Sequence, residues 1–415
     1  MDKFLNWLEN SFAPKMNVVN NNIWVITIKD SVMQILPFIL LGSVFCVLSV
    51  VEDFFSLPIS FDGLFGWTMG MVAVLVAFLI PFNFCEKRKL RKQRLIAGCA
   101  GLILFFISIQ PQLVIEGAAG FGSSAFGAGG MFCAIFTGVV TSLVFRLFGS
   151  FSLFSDESVV PDFVRQWFDA LLPIACVIVL GFVCTDVFGI NMYSVVTGIF
   201  MPFSSFLNTW YGFIFFNFLN CFIYSMGISA WVLTPVEQPV KLAAIAANIA
   251  MAAAGTATAA NLNMFTETLI YTCYLWWGGI GCTFPLVIML MRSKSKQLSS
   301  LGKACLAPAI CQINEPVVFG CIAWNPIMMI PMWIIGVVLP AVCWLGCKVL
   351  QFAPISTIQF DFWYCPFPIS TWFSSGGSII AVLFAIVLML LAGLIWYPFF
   401  KVYEKQVMKE EVEEE

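Results

Sequence analysis

Apolar residues run through this chain in long uncharged blocks rather than in alternation. The blocks cover residues 31–51, 63–85, 95–115, 117–145, 187–236, 242–266, 268–291, 316–347 and 362–400, with a shorter one at 170–185. A hydrocarbon layer about 30 Å thick takes roughly 20 apolar residues per helix. Each block therefore predicts a membrane span, and 187–236, too long for one helix, predicts two spans or a span plus a re-entrant segment. The total comes to about 10 spans at that length per helix. The strands of a membrane barrel would alternate apolar and polar positions, and these blocks do not. The predicted fold class is an all-α integral membrane protein with re-entrant hairpin segments in its second half.

Composition agrees: 60% of residues are hydrophobic and 10% charged, against about 25% charged in a soluble domain. The charges matter through their positions. Lys87, Arg88, Lys89, Arg91, Lys92 and Arg94 form one basic loop, Arg292, Lys294, Lys296 and Lys303 a second, and Lys401, Lys405 and Lys409 a third. Positive loops stay on the cytoplasmic side. With two spans before residue 85, both termini are expected in the cytoplasm, and the basic runs are read as topology signals rather than nucleic-acid sites. Residues 1–30 lack a continuous apolar stretch, so no cleavable signal peptide is expected. They read as an amphipathic segment with Phe4, Leu5, Trp7 and Leu8 on one face. The Gly/Ala/Ser-rich 117–130 reads as an extracellular turn, and the later part of 150–173 as an interfacial helix feeding the 170–186 span.

Several chemistries are excluded or not expected. There is no histidine, which removes every mechanism that needs imidazole. No P-loop occurs. The 15 cysteines are scattered through apolar runs without a CxxC pair, so they read as small hydrophobes, and neither a disulfide framework, a metal site nor a cofactor is expected.

The two halves differ. Residues 1–186 read as a transmembrane scaffold. In 187–415 the apolar blocks are interrupted by Thr234, Pro235, Glu237, Pro239, Lys241, Asn248, Asn261, Asn263, Glu267 and then Gln312, Asn314, Glu315 and Pro316. Irregular backbone at membrane depth is tolerated where it is buried in protein or lines a cavity, and broken segments of this kind mark transporter binding sites. The second half is therefore the expected substrate-binding half. Glu315 is its leading residue: a carboxylate at depth is costly, and Pro316 biases it away from helix. Gln312, Asn314 and Glu315 together suit a polyol, whose hydroxyls amides and carboxylates can bind. Trp210, Tyr211, Trp231, Trp276, Trp277 and Phe319 are possible sugar-stacking rings, though any one of them reads more simply as packing or lipid-facing. Glu237 and Lys241 read equally as a site or as a helix-start ion pair, and Glu267 reads as structural. Asn248, Asn261 and Asn263 either line a pore or bond across helices.

At these residues the chain resembles a known family. "INEPVVFGCIAWNPIMMIP" (313–331) is similar to the "NINEPxxFGxPIxxNPxxxIP" signature of the permease (enzyme IIC) components of the bacterial phosphotransferase system, in the lactose/cellobiose/diacetylchitobiose class. "IKDSVMQILPFILLGSVF" (28–45), "VVPDFVRQWFDALLP" (159–173), "WWGGIGCTFPLVIMLMRSKSKQLSSLGKACLAPAI" (276–310) and "YPFFKVYEK" (397–405) resemble further family patterns, in order along the whole chain. The resemblance implies a homodimer in the bacterial cytoplasmic membrane, with an N-terminal half that dimerises and a C-terminal half that carries a β-linked disaccharide inward by an elevator movement. It implies cytosolic IIB and IIA partners, with phosphorylation of the sugar by a IIB phosphocysteine and no phosphorylated residue on this chain. The signature glutamate, here Glu315, would accept the hydroxyl proton and orient the nucleophile. One departure stands out. The family has "GIHG" where this chain has "GISA" (227–230), so Ser229 replaces a sugar-binding histidine. Ser229, Trp231, Glu237, Asn248, Gln312, Asn314 and Glu315 are the expected substrate-binding residues, with Glu237 a possible substitute for the histidine. The lost histidine keeps a second function open, a non-phosphorylating facilitator or membrane sensor. A third, an ion-coupled symporter, would use Glu315 or Glu237 as its proton site.

Overall fold

The computed structural model describes residues 61–109, 125–149, 161–228 and 233–414 continuously, with parts of 18–59, 113–121 and 151–152. The described chain is helical apart from one small antiparallel pair, β1 (Leu113–Ile115) and β2 (Ala118–Gly120), with Val114 opposite Ala119. It divides into two compact units. The N-terminal unit covers Val19–Gly42 and Gly63–Phe203, and the C-terminal unit is principally Ser204–Glu415.

The N-terminal unit is built on α1 (Ile23–Gln34), α2 (Val72–Lys87), α3 (Arg94–Ile109), α4 (Met131–Phe148), α5 (Asp162–Phe182) and α6 (Met192–Leu207), the last of which runs past its boundary. Without a hydrophobic drive between helices in lipid, close packing depends on small residues. Gly98, Gly101 and Gly138 provide it here. A Cβ on Gly101 would lie 2.6 Å from Ala77 O and from Pro81 Cγ, and one on Gly138 would lie 2.8 Å from Ile80. Pro81 has no N–H for the Ala77 carbonyl, and α3 presses its glycine against that spot. Cys85, Ala97, Ala100, Leu104, Phe145 and Val177 close the core between these helices. Its polar contacts are few: Asn83 donates to Ser31 Oγ at 2.9 Å and to Gln34 Oε1 at 3.0 Å, and Lys87 pairs with Asp30 at 2.5 Å. The interfacial helix expected before residue 170 and the span after it form one element, since α5 runs unbroken through both.

The C-terminal unit contains α7 (Trp210–Ser225), α8 (Thr234–Ala253), α9 (Phe284–Met291), α10 (Lys296–Ile310), α11 (Glu315–Val317), α12 (Pro326–Trp344), α13 (Ile369–Ser374) and α14 (Ile379–Glu414). Its apolar blocks do not become simple spans. The 242–266 block is replaced by α8, which starts eight residues earlier because Thr234 and Pro235 open it, Pro falling in the first turn where its missing N–H is not needed. It ends at Gly255, whose φ of +68° suits a glycine C-cap. The 268–291 block splits into a π-helical turn at Thr268–Tyr274, a glycine loop and α9. The 362–400 block splits at Gly376 and Gly377, both at positive φ, into α13 and α14. α7 and α12 pack closely where Gly336 meets Cys221, with 3.0 Å to a Cβ placed there.

Five helical segments among the described residues are long and apolar enough to cross a membrane: 63–87, 131–148, 164–187, 326–349 and 379–412. α6 and α7 pass the same test only when taken together, and α3 is a shorter apolar helix. The chain is a multi-pass membrane protein. Part of the expected 31–51 span falls outside the described residues, as do the expected amphipathic face of 1–30 and most of the first part of 150–173.

Candidate functional site

The segment from Gln312 to Ile322 is shaped by its neighbours. α10 ends at Ile310, and Gln312 takes a left-handed φ of +62°, a conformation uncommon for a side chain of this kind. The Gln312 amide is used on backbone: Oε1 accepts from Gly278 N at 2.5 Å, while Nε2 donates to Ile310 O at 3.2 Å and Cys365 O at 3.3 Å. Asn314 is buried and donates to Ile280 O at 2.8 Å. A Cβ on Gly279 would stand 2.4 Å from Asn314 Cγ. Gly278, Gly279 and Gly281 all lie at positive φ, so the WWGGIGC loop is a cradle into which the 312–314 turn fits. Both amides predicted to bind substrate are thus engaged in holding the segment.

Glu315 is different. It follows Asn314, whose carbonyl accepts from Val317 N and Val318 N, and with Pro316 it opens a single helical turn that passes into a π-helical one. The side chain is exposed and makes no hydrogen bond or ion pair with any described residue. It acts electrostatically on the Tyr224 phenol, and Phe319 meets the Tyr224 ring edge-on at 6.1 Å. Past the turn, Trp324 N donates to Ser225 O at 3.2 Å and Trp333 Nε1 to Ser225 Oγ at 2.8 Å. These bonds fix the Glu315 segment against the end of α7. Ser229 and Trp231 lie outside the described residues.

Among the described aromatic candidates, Phe319 lies on the same turn as Glu315. Trp276 is buried, and Trp277 stacks between Phe367 at 5.1 Å and Phe284 at 6.1 Å, so both are packing residues. Trp210 and Tyr211 are exposed at the start of α7.

A second polar group lies deep in the same unit. Lys241 is 1% exposed and pairs with Glu237 at 3.2 Å, four residues back on α8, and with Glu267 at 2.9 Å. Its ammonium sits 4.7 Å from the centre of the Tyr271 ring and 5.7 Å from that of Phe265, in cation–π range. Asn220 of α7 donates to Glu237 Oε2 at 3.3 Å. Thr268 Oγ1 donates to Asp361 at 3.4 Å, and Gln359 donates to Asp361 at 2.8 Å. The helix-start pair read from the sequence therefore belongs to a larger cluster. The i, i+4 spacing of Glu237 and Lys241 signals their pairing, but nothing local signals Glu267 and Asp361 as neighbours.

Asn248 is fully buried and saturated. Its Nδ2 donates to Asn263 O at 2.9 Å and Ser356 O at 3.1 Å, and its Oδ1 accepts from Asn263 N at 2.7 Å. It ties α8 to two loops. Asn261 closes its own turn, donating to Thr256 O at 2.8 Å. Every described cysteine is free, and no group of three or more possible metal ligands occurs among the described residues.

A family model described as "Phosphotransferase system, EIIC" matches residues 29–336. The chain is 26% identical over 431 residues to the PTS system lactose-specific EIICB component of Staphylococcus epidermidis, covering 99% of this chain and 72% of that protein. It is 27% identical over 446 residues to the PTS system cellobiose-specific EIIC component of Geobacillus stearothermophilus, covering 99% and 96%. In fold it is similar to a crystal structure of the transporter ChbC, the IIC component from the N,N'-diacetylchitobiose-specific phosphotransferase system, with a TM-score of 0.88 at 24% identity over 98% of this chain and 99% of that one.

Proposed function

The chain belongs to the phosphotransferase system EIIC family, and on that premise we propose that it is a permease that binds a β-linked disaccharide at Glu315 and carries it inward for phosphorylation. The observation that carries this reading is the contrast inside one motif: Gln312 and Asn314 are locked to backbone while the Glu315 carboxylate is exposed and unbonded among the described residues. A carboxylate held in that way is available to accept a sugar hydroxyl proton and orient the oxygen for attack. Positioning and charge stabilisation supply most of what phosphoryl transfer needs. Phe319 offers an apolar face beside it, Gln312 and Asn314 hold the segment that presents it, and Ser229 and Trp231 are further residues we assign to the sugar.

In this reading the phosphoryl group comes from a IIB phosphocysteine, recharged through IIA, and this chain carries none itself. Two copies pair through residues 1–186, the half at 187–415 moves as an elevator, and both termini face the cytoplasm. We count about 10 passages at roughly 20 residues each, some of them re-entrant. The similarity to lactose- and cellobiose-specific relatives supports the substrate class.

The test is uptake of labelled lactose, cellobiose and diacetylchitobiose by cells that express the chain with or without its cognate IIB, scored for intracellular sugar phosphate. Sugar phosphate that depends on IIB and disappears in Glu315→Gln is the expected result. Sugar entering unphosphorylated would favour the facilitator reading, which the Ser229 replacement motivates.

A further inference from the structure

We propose that the buried cluster of Glu237, Lys241, Glu267 and Asp361 is a proton-binding site that keeps at least one proton at neutral pH. Glu237 and Glu267 share a single ammonium, at 3.2 Å and 2.9 Å, and both are 4% exposed. Asp361, 0% exposed, stands beside them across Thr268 and interacts electrostatically with Lys241. Two carboxylates on one buried cation leave a negative charge in excess. Charge without compensation is costly away from water, and such groups neutralise instead. Protons are the cheapest compensation available.

The hydrogen bonds point the same way. Asn220 is 5% exposed, and its amide is turned to the cluster, Nδ2 donating to Glu237 Oε2 at 3.3 Å. Its Oδ1 is buried with no donor. The cluster is therefore rich in acceptors and poor in donors, and a retained proton supplies a positive charge and an O–H donor together. The ionisable groups facing the cluster are Cys221 and Tyr224 from α7, Glu237 and Lys241 from α8, Glu267 and Tyr271 from the turn after α8, and Asp361 from the loop before α13. Among these described residues Lys241 is the one cation.

The inference does not rest on the transport reading, and its test needs no sugar. Infrared difference spectra of the full-length chain in lipid, recorded in H2O and D2O, resolve the carbonyl stretch of a protonated carboxylic acid. A buried band present at neutral pH and lost on alkaline titration is expected. The double variant Glu237→Gln with Glu267→Gln removes both carboxylates that share Lys241, and the band should vanish. Lys241→Met should enlarge it, and Glu315→Gln should leave it unchanged. Absence of the band in the wild type, or its survival in the double variant, would overturn the proposal. Where the double variant does not yield folded protein, Glu267→Gln alone should shift the titration midpoint downward, and an unmoved midpoint would equally overturn it.

Discussion

Glu315 directly precedes Pro316, and Glu237 lies between Pro235 and Pro239, each near the start of a helical turn. The first carboxylate is exposed with no hydrogen bond among the described residues, and the second is closed in by Lys241 and Asn220. The difference lies in what surrounds each acid rather than in the acid's own stretch of chain. Around Glu315, the polar side chains of the same motif are taken up by the WWGGIGC loop, and none is left to pair with it. Around Glu237, Lys241 of the same helix brings an ammonium, and two other parts of the unit bring the Glu267 carboxylate and the Asn220 amide. An acid whose neighbours are committed elsewhere is open for chemistry, whereas one that is itself the neighbours' partner is committed to the fold.

That contrast can be broken by substitution. The largest effect is expected from Glu315→Gln, which should lower IIB-dependent sugar phosphate formation by roughly 10²–10⁴-fold, the range for loss of a general base. The melting temperature in detergent should stay close to wild type, since no described bond is lost. Lys241→Met should do the reverse. Removing one partner of a buried ion pair costs about 3–5 kcal/mol, and the loss should appear as a lower melting temperature, least at acid pH where the stranded carboxylates are protonated. Gln312→Ala leaves the Gly278 N–H unbonded, at about 1–3 kcal/mol for a buried orphan, and should lower both stability and sugar affinity by loosening the cradle. Glu411→Ala removes the carboxylate that accepts from Ser295 Oγ at 2.7 Å and Gln297 N at 2.8 Å. The loss should loosen the helix start, readable as faster amide exchange at the start of α10.

How much of this was legible beforehand follows the same division. Local signals were reliable where one element decides the outcome. The interruption of helix before Pro316, the loop that ends at Ser295 and the Glu237–Lys241 pairing at i, i+4 could be read in the sequence, whereas the Gly255 stop and the helical turn that Glu315 opens could not. Hydropathy failed where glycines cut an apolar run. Gly278, Gly279, Gly281, Gly376 and Gly377 are apolar by count, yet their positive φ values end helices inside the 268–291 and 362–400 blocks. Tertiary partners were also out of reach. Asp361 lies about a hundred residues from Thr268 along the chain, and no periodicity records that they meet. The engagement of Gln312 and Asn314 with backbone was hidden for the same reason, because an amide that binds a sugar and one that clamps a loop are the same letter.

The C-terminal helix grips the loop before α10 at two points. Glu404 accepts from Ser293 Oγ at 2.7 Å and Lys294 N at 2.9 Å, and Glu411 holds Ser295 and Gln297. α10 then runs without interruption to the turn that presents Glu315. Its 15 residues make a rod of about 22 Å at 1.5 Å per residue. A tilt of about 5° at the gripped end moves the far end by about 2 Å over that length, enough to bring a carboxylate into or out of hydrogen-bonding reach. A pull on α14 would therefore be transmitted along α10 to the acid.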